Sequence, residues 1–163
     1  YVEDESRACG ILVKVTPDML PVYEGMRIAV HGAVNTESNG QRSIDASMLD
    51  YVGVGEPLRA LGLPGKSVGA EGLSNVSLLV KTWGRVMFSC SRFFTIDDGS
   101  AMTDGLGHSG VPVLVEKTLP GIGTIPAVGS YVSVTGVVGL ADLGGGGVPV
   151  VFARGEEDIM TNE

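Results

Sequence analysis

The chain has 163 residues, a formal net charge of −8 and 25 glycines. With 44% hydrophobic and 18% charged residues, the composition is that of a globular protein and excludes a disordered chain, which needs low hydrophobicity and high charge. No apolar run approaches the ~20 residues that a membrane-spanning helix requires. Glycines scattered between short Val- and Ile-rich runs indicate many tight turns and exclude a helical bundle, so we predict an all-β protein.

The charge balance also bears on partners. The basic residues are scattered along the chain without a cluster, whereas duplex binding depends on basic residues that neutralise phosphates. The acidic whole-molecule field repels nucleic acid. Nucleic acid is therefore not expected as a partner, and the missing strand described below makes self-association or neighbouring domains the expected partners instead.

Residues 1–55 contain an apolar strand signal at 10–15 and alternating apolar residues at 27–34. Asn39-Gly40 is a strong hairpin signal and predicts that residues 33–36 pair with residues 41–47. Residues 56–73 are rich in Gly and Pro without sustained periodicity, so we interpret them as a linker with a short helical turn at 57–61.

Residues 74–163 have the clearest period-2 alternation of the chain. It predicts strands at 77–88, 93–97, 111–116, 131–138 and 148–154. Asp98-Gly99 and the glycine run 144–147 supply turns between them.

The chain contains an internal repeat. Residues 25–34 and 129–138 both read G-x-x-[IV]-x-V-x-G-x-V, and an acidic residue upstream of each, Asp4 or Asp98, follows an apolar run. The offset is 94 residues at the acidic residues and 104 at the first glycines, a difference that loop insertions explain. The second copy has an additional strand at 78–86 that the first lacks, which indicates a duplicated β unit with one strand missing from copy one.

The strand order and the repeated motif resemble the OB-fold, a five-stranded Greek-key barrel. LVKTWGRV at 79–86, FTIDDGS at 94–100 and VGSYVSVTG at 128–136 resemble bacterial OB-domains that occur in tandem in large secreted or cell-surface proteins. YVEDESRACGI at 1–11 is similar to the first of two barrels in that family, with Cys9 departing from its pattern. The resemblance implies an incomplete barrel at 1–55, a complete one at 74–163, and an extracellular or cell-surface location in a bacterium.

A barrel without its first strand has two unpaired sheet edges and an open apolar groove. Three explanations remain open: truncation, a strand donated by another chain through β-augmentation, or a rearranged first barrel. Strand donation by a neighbouring subunit produces filaments when the contacts do not close into a ring. The resulting hypothesis is a non-enzymatic structural or interaction module, which strand donation would make a filament subunit.

The alternative function is single-stranded nucleic-acid or oligosaccharide binding, since OB-folds bind single strands with aromatic platforms beside basic residues. The candidate ligand face consists of Trp83, Lys81, Arg85, Arg92 and Phe94. For Phe94 the competing interpretation is a core residue.

The sequence lacks the signals of an enzyme. His31 and His108 stand alone, without a nucleophile elbow, and we predict no cofactor and no metal. Asp97, Asp98 and Asp104 lie in a Gly-rich stretch, but their spacing does not match a calcium-binding EF-hand loop, and Asx-turns explain them.

Two covalent features remain open at this level. Cys9 and Cys90 either form a disulfide or are two free thiols. Asn75-Val76-Ser77 is an N-glycosylation sequon, which has meaning in an extracellular protein and makes a glycan a candidate modification.

Overall fold

The computed structural model describes residues 1–19, 21–69, 74–115, 125–144 and 146–162. Within them the regular structure consists of β-strands and two short 3₁₀ turns, at Gly65–Ser67 and Glu156–Asp158. The predicted all-β class is therefore confirmed.

The N-terminal strands form an open four-stranded sheet. Its strands are β1 (Val2–Glu3), β2 (Gly10–Lys14), β3 (Met26–Thr36) and β4 (Arg42–Val54). The spatial order is β1-β2-β4-β3, with β2 and β4 parallel and the other two pairs antiparallel. The predicted hairpin is confirmed: Thr36 pairs with Arg42, and Gly40 takes the positive φ of +87° that the tight turn requires.

The C-terminal strands close into a five-stranded barrel. A short strand, β5 (Leu61–Gly62), precedes it, and the barrel strands are β6 (Leu79–Ser89), β7 (Phe93–Asp97), β8 (Val111–Val115), β9 (Tyr131–Asp142) and β10 (Gly147–Ala153). They pair in the cyclic order β6-β7-β8-β10-β9-β6, with β8 and β10 parallel and every other pair antiparallel. Two short strands extend the sheet: β5 beside β6, and β11 (Ile159–Asn162) beside β9.

The predicted strands of this region are found, and the boundaries differ by small amounts. The prediction at 93–97 matches β7, while β9 continues four residues beyond the predicted end at Val138. Glu116, the last residue predicted for β8, lies outside the described residues. Strand β4 is longer than the predicted 41–47 because it pairs with β3 over its whole length, with register shifts that accommodate two additional residues.

The barrel interior is filled by alternate residues of its strands. On β6, Val80, Thr82 and Val86 are fully buried, while Trp83 between them is half exposed. The largest fully buried side chain is Phe94, among Val residues from the other strands. Each such buried apolar side chain contributes about 1.5–3 kcal/mol, so this interior is the main source of stability.

The segment predicted as a linker packs against the barrel. Leu61 pairs with Val80 of β6, and Val68 is 2% exposed within the barrel core. The helical turn predicted at 57–61 is wrong: residues 57–60 are irregular, and the 3₁₀ turn lies at Gly65–Ser67 instead. The apolar side chains of this segment gain more by covering the barrel than by a local helix. Residues 70–73 lie outside the described part.

Polar contacts join the open sheet to the barrel. Gln41, 3% exposed, accepts a hydrogen bond from the backbone N–H of Leu140 at 3.0 Å. Glu3 accepts from the backbone N–H of Leu79 at 2.6 Å and pairs with Arg7 at 3.0 Å. These contacts fix the sheet against the start of β6 and the end of β9.

Candidate functional site

In the described part of the chain, the open sheet has the pairing pattern of the barrel without one of its strands. Its three pairings have the same order and orientation as β7-β8-β10-β9 in the barrel. The registers also correspond: Val13–Ile44–Val34 in the sheet match Val113–Val151–Val138 in the barrel. The strand without a counterpart is β6, so the free edges β1 and β3 are the two edges that such a strand would join.

The exposed fractions of apolar side chains at matching positions show which part of the open sheet lacks the cover that β6 provides in the barrel. Val34 is 55% exposed, whereas Val138 at the matching barrel position is 0% exposed. Ile28 and Val30 are half buried, whereas their counterparts Val132 and Val134 are 1% and 0% exposed. The inner face of the sheet therefore carries core residues that its own strands do not cover.

A groove of about 1360 Å³ lies between the two free edges. Val2 and Glu3 of β1 line one side, and Met26 and Ile28 of β3 line the other. The barrel supplies the remaining wall: Leu79, Val137, Phe152 and Arg154. The groove thus occupies part of the place in the sheet that β6 takes in the barrel, at the start of β3.

Acidic residues outnumber basic ones along this groove. Five carboxylates line it, Glu3, Asp4, Glu5, Glu24 and Glu56, against two guanidinium groups, Arg27 and Arg154. Both guanidinium groups are already paired: Arg27 with Glu5, and Arg154 with Glu24 at 3.3 Å and with the buried Asp158 at 2.9 Å. The hydrogen bond to Asp158 raises the pKa of Arg154. Three of the carboxylates have ionic partners as well, since Glu3 pairs with Arg7, Glu5 with Arg27 and Glu24 with Arg154. The excess of negative charge therefore lies on Asp4 and Glu56, and it favours a cationic occupant.

The backbone of β3 presents hydrogen-bonding groups to the groove. The carbonyl of Gly25 accepts from the N–H of Gly55, so it points towards β4. Because successive residues of a strand direct their N–H and C=O groups to opposite sides, Ile28 and Val30 direct theirs to the free edge. Such an edge pairs readily with another strand.

Three of the five residues predicted for the ligand face lie together on the barrel surface. Lys81, Trp83 and Arg85 are exposed on the outer side of β6, and Trp83 is 50% exposed. Tyr131, 60% exposed, pairs with Arg85 across the β6–β9 ladder and extends this face. The strand register, which the sequence does not specify, is what adds Tyr131.

Two predicted members of that face lie elsewhere. Phe94 is 0% exposed in the barrel core, which agrees with the competing core interpretation and removes it from the surface. Arg92 is exposed in the turn between β6 and β7, and its carbonyl accepts from the N–H of Val115 at 3.2 Å. Because this turn lies beyond the end of β6 at Ser89, Arg92 does not share the alternation that presents the other basic residues on one side of that strand.

The candidate disulfide is not formed. Cys9 and Cys90 are both free, Cys9 exposed and Cys90 half buried. Cys9 precedes Gly10, whose backbone lies against Ser77 before β6, whereas Cys90 follows the far end of that strand. The 11 residues of β6 span roughly 35 Å, far above the ~7 Å limit for bridging.

The sequon asparagine has an interior role. Asn75 is 7% exposed, its amide donates to the carbonyl of Ser67, and its side-chain oxygen accepts from the N–H of Gly69 at 2.7 Å. Both ends of the amide are therefore engaged in holding the segment that covers the barrel, which argues against Asn75 as a glycan acceptor.

The aspartates of the β7–β8 connection act as turn residues. Asp104, 0% exposed, accepts from the backbone N–H groups of Leu106 and His108 and lies 2.5 Å from His108 Nδ1. Burial acts to raise the pKa of Asp104, but these hydrogen bonds outweigh it and hold the pKa below its usual range. The His108 ring stacks on Phe88 with centroids 3.9 Å apart.

Three further acidic groups have local partners. Asp97 accepts from the N–H of Gly99, and Asp98 accepts from those of Gly65 and Ser100. On the open sheet, His31 Nε2 is 3.1 Å from Asp50 Oδ2 on an exposed surface. Among the described residues, no three His, Cys, Asp or Glu side chains gather as metal ligands.

Fold and groove together define an all-β protein in which a closed five-stranded barrel carries an open, barrel-like sheet. Comparison with known proteins adds no family: no protein-family model matches the chain, and no curated protein matches it significantly. No helix in the described ranges has the length and apolar character to span a membrane.

Proposed function

We propose that this chain is a non-enzymatic structural or interaction module of an extracellular bacterial protein, built from two OB-fold-like barrels in tandem. In this proposal the first barrel is completed by a β-strand from a neighbouring subunit, and repetition of that contact builds a filament. The contact is heterologous, since the groove on one subunit receives a strand from a different surface of the next.

The observation that carries the proposal is the correspondence between the open sheet and the barrel. The strand order of the closed barrel and its single parallel pair, β8 with β10, support an OB-fold-like barrel. The sheet repeats that arrangement without the strand equivalent to β6, and its free edges flank the groove. The extracellular location rests on the sequence resemblance alone.

The direct test is the assembly state of the protein at neutral pH, measured by analytical ultracentrifugation and negative-stain microscopy. We expect large oligomers or filaments. The variant Val30→Pro removes an N–H from the free edge of β3, and a proline is tolerated on an edge strand when its nitrogen faces away from the sheet. It should therefore abolish assembly while leaving the barrel folded.

The matched control is Val30→Ala, which shortens the same side chain and keeps the N–H. It should retain assembly. A wild-type protein that sediments as a monomer at all concentrations would contradict the proposal, as would a Val30→Pro variant that still forms filaments.

A second candidate is binding of a single-stranded nucleic acid or an oligosaccharide at Trp83. The exposure of Trp83 beside Lys81, Arg85 and Tyr131 favours it, since stacking on an aromatic ring contributes about 1–3 kcal/mol per base. Because Trp83 is the only tryptophan, titration with oligothymidylate or a glucan can be followed by its fluorescence. An unchanged signal with both ligand classes would reject this candidate.

A further inference from the structure

We infer that the groove between β1 and β3 takes a basic β-strand with the side-chain pattern of β6, supplied by another polypeptide and running antiparallel to both edges. This inference rests on the proposed function and specifies the chemistry of the partner. It states which backbone groups pair, which side chains point inward and which charge the outward positions carry.

The direction and register follow from the matching positions of the barrel. There, β6 runs antiparallel to both neighbours, and Leu79 to Arg85 pair with Val137 to Tyr131. The shared motif places the corresponding β3 positions at residues 33 to 27. The N–H and C=O groups of Ile28 and Val30 point to this edge, so an incoming strand has hydrogen-bond partners at both residues.

The inward positions require small or β-branched residues. On β6 the alternate buried positions are Val80, Thr82, Gly84 and Val86, while Leu79, which is also buried, lies on the other side of the strand and lines the groove. Gly84 lies so close to Asp97 that an added Cβ would be 2.6 Å from its carbonyl oxygen. The half-buried face of Ile28 and Val30 offers the same kind of surface, and covering it would bring these residues towards the burial of their barrel counterparts.

The outward positions are expected to be basic. The groove lining has five carboxylates and two guanidinium groups, and Arg7 pairs with the lining carboxylate Glu3 from outside it, so the net formal charge is 3 − 5 = −2. The outward positions of β6 include Lys81 and Arg85. Arg27 and Glu5 lie on opposite sides of the groove and form an ion pair. When a basic strand enters the groove, one of its cationic side chains replaces Arg27 as the partner of Glu5.

The probe is a synthetic peptide with the sequence of β6, LVKTWGRVMFS, carrying a fluorophore and added to the full chain. Binding is measured by fluorescence anisotropy, with a peptide of the same composition in scrambled order as the control. We expect the β6 peptide to bind at least tenfold more tightly than the scrambled one. A glutamate-substituted peptide, with Lys81→Glu and Arg85→Glu, should bind at least tenfold more weakly than the parent.

Residue-resolved hydrogen exchange identifies the site. At protein concentrations too low for assembly and without peptide, the N–H groups of Ala29 and His31 should be protected by β4, while those of Ile28 and Val30 exchange freely. With peptide, Ile28 and Val30 should become protected. In the Val30→Pro variant the affinity should fall at least tenfold, and in Val30→Ala less than threefold.

The inference is overturned if the scrambled and β6 peptides bind equally, or if Ile28 and Val30 stay unprotected while Ala29 and His31 show a folded sheet. Its failure is distinguishable from that of the proposed function. A monomeric chain that binds the peptide at β3 upholds the groove and rejects the filament. A chain that assembles, but whose unassembled form does not bind the peptide at low protein concentration, rejects this partner chemistry and leaves self-association through another surface.

Discussion

Glycines 32 and 136 occupy the same place in the repeated motif, and adding one methyl group to each compares the open sheet with the closed barrel. A Cβ at Gly136 would lie 2.4 Å from the carbonyl oxygen of Phe152 and 2.7 Å from Val151 Cγ1. A Cβ at Gly32 would lie 2.2 Å from the carbonyl oxygen of Asp45. Ordinary contact begins at 3.4 Å, so each strand must move by about 1 Å relative to its neighbour.

The cost of that movement depends on what holds each strand. Strand β9 is paired on both sides, so a shift of about 1 Å at Gly136 stretches ladder hydrogen bonds beyond their normal range. Losing two hydrogen bonds costs about 1 kcal/mol each, and overpacking costs about 1 kcal/mol more. Replacing a glycine in a strand returns about 0.5–1 kcal/mol, so the free energy of unfolding falls by about 2 kcal/mol in total. Strand β3 pairs on one side only and already has an irregular register beside Gly32. It can move outward, so we expect a loss below about 1 kcal/mol.

The assay is urea denaturation of both variants, followed by far-UV circular dichroism and by the fluorescence of Trp83 on the barrel. Gly136→Ala should lower the urea midpoint of the fluorescence transition by roughly 0.7–2 M, the shift that about 2 kcal/mol gives at an m-value of about 1–3 kcal/mol/M, whereas Gly32→Ala should leave it unchanged. Gly53→Ala, where an added Cβ meets nothing within 4 Å, is the control and should be neutral or slightly stabilising. Equal shifts of the Trp83 transition for Gly32→Ala and Gly136→Ala would refute the distinction between a closed barrel and an open sheet.

Three further predictions concern a carboxylate, the thiols and the junction. Asp104→Asn should lower the free energy of unfolding by about 1–2 kcal/mol at neutral pH. Because the pKa of Asp104 is lowered in the fold, its contribution to stability is complete above the unfolded pKa near about 4 and is lost as the pH falls through the folded pKa. The urea midpoints of wild type and variant should therefore converge at low pH, and a difference independent of pH would contradict this. Thiol titration of the unreduced protein in denaturant should detect both cysteines, and in the native protein Cys9 should react before Cys90. A mass spectrum of the unreduced chain with no labelled thiol, as a disulfide would give, would contradict this. Gln41→Ala removes the acceptor of the Leu140 N–H and should cost about 1–2 kcal/mol, seen as faster hydrogen exchange at Leu140, with no change there as the contrary result.

The sequence predicts those parts of the fold that depend on local alternation and turn chemistry. The alternation along β6 directs Trp83 to the outer side of the strand and Val80 and Thr82 to the inner side. Asn39-Gly40 specifies the hairpin. The internal repeat also indicates which strand the first unit lacks. These features depend on neighbouring residues, which a single sequence contains in full.

Long-range packing does not follow from local patterns of this kind. Val68 is buried because it packs into the core cluster of the barrel, not because of its neighbours in the chain. The separation of Cys9 from Cys90 and the interior position of Asn75 likewise depend on where β6 runs. The wall of the groove contributed by Phe152 and Arg154 requires the docking of sheet on barrel, which no local pattern encodes.

The two halves of the molecule differ in how far apart along the chain their pairing residues lie. Closure of the barrel brings Leu79 to Val137, 58 residues away (137 − 79), whereas the β3–β4 hairpin turns within a few residues at Asn39-Gly40. Loop closure over longer stretches costs more entropy, and nonlocal pairing slows folding. The hairpin is therefore expected to form early, before the barrel beside it has closed. Its uncovered face is then exposed to solvent and to other chains throughout folding, so the order of events, as much as the final structure, determines when a partner strand can enter.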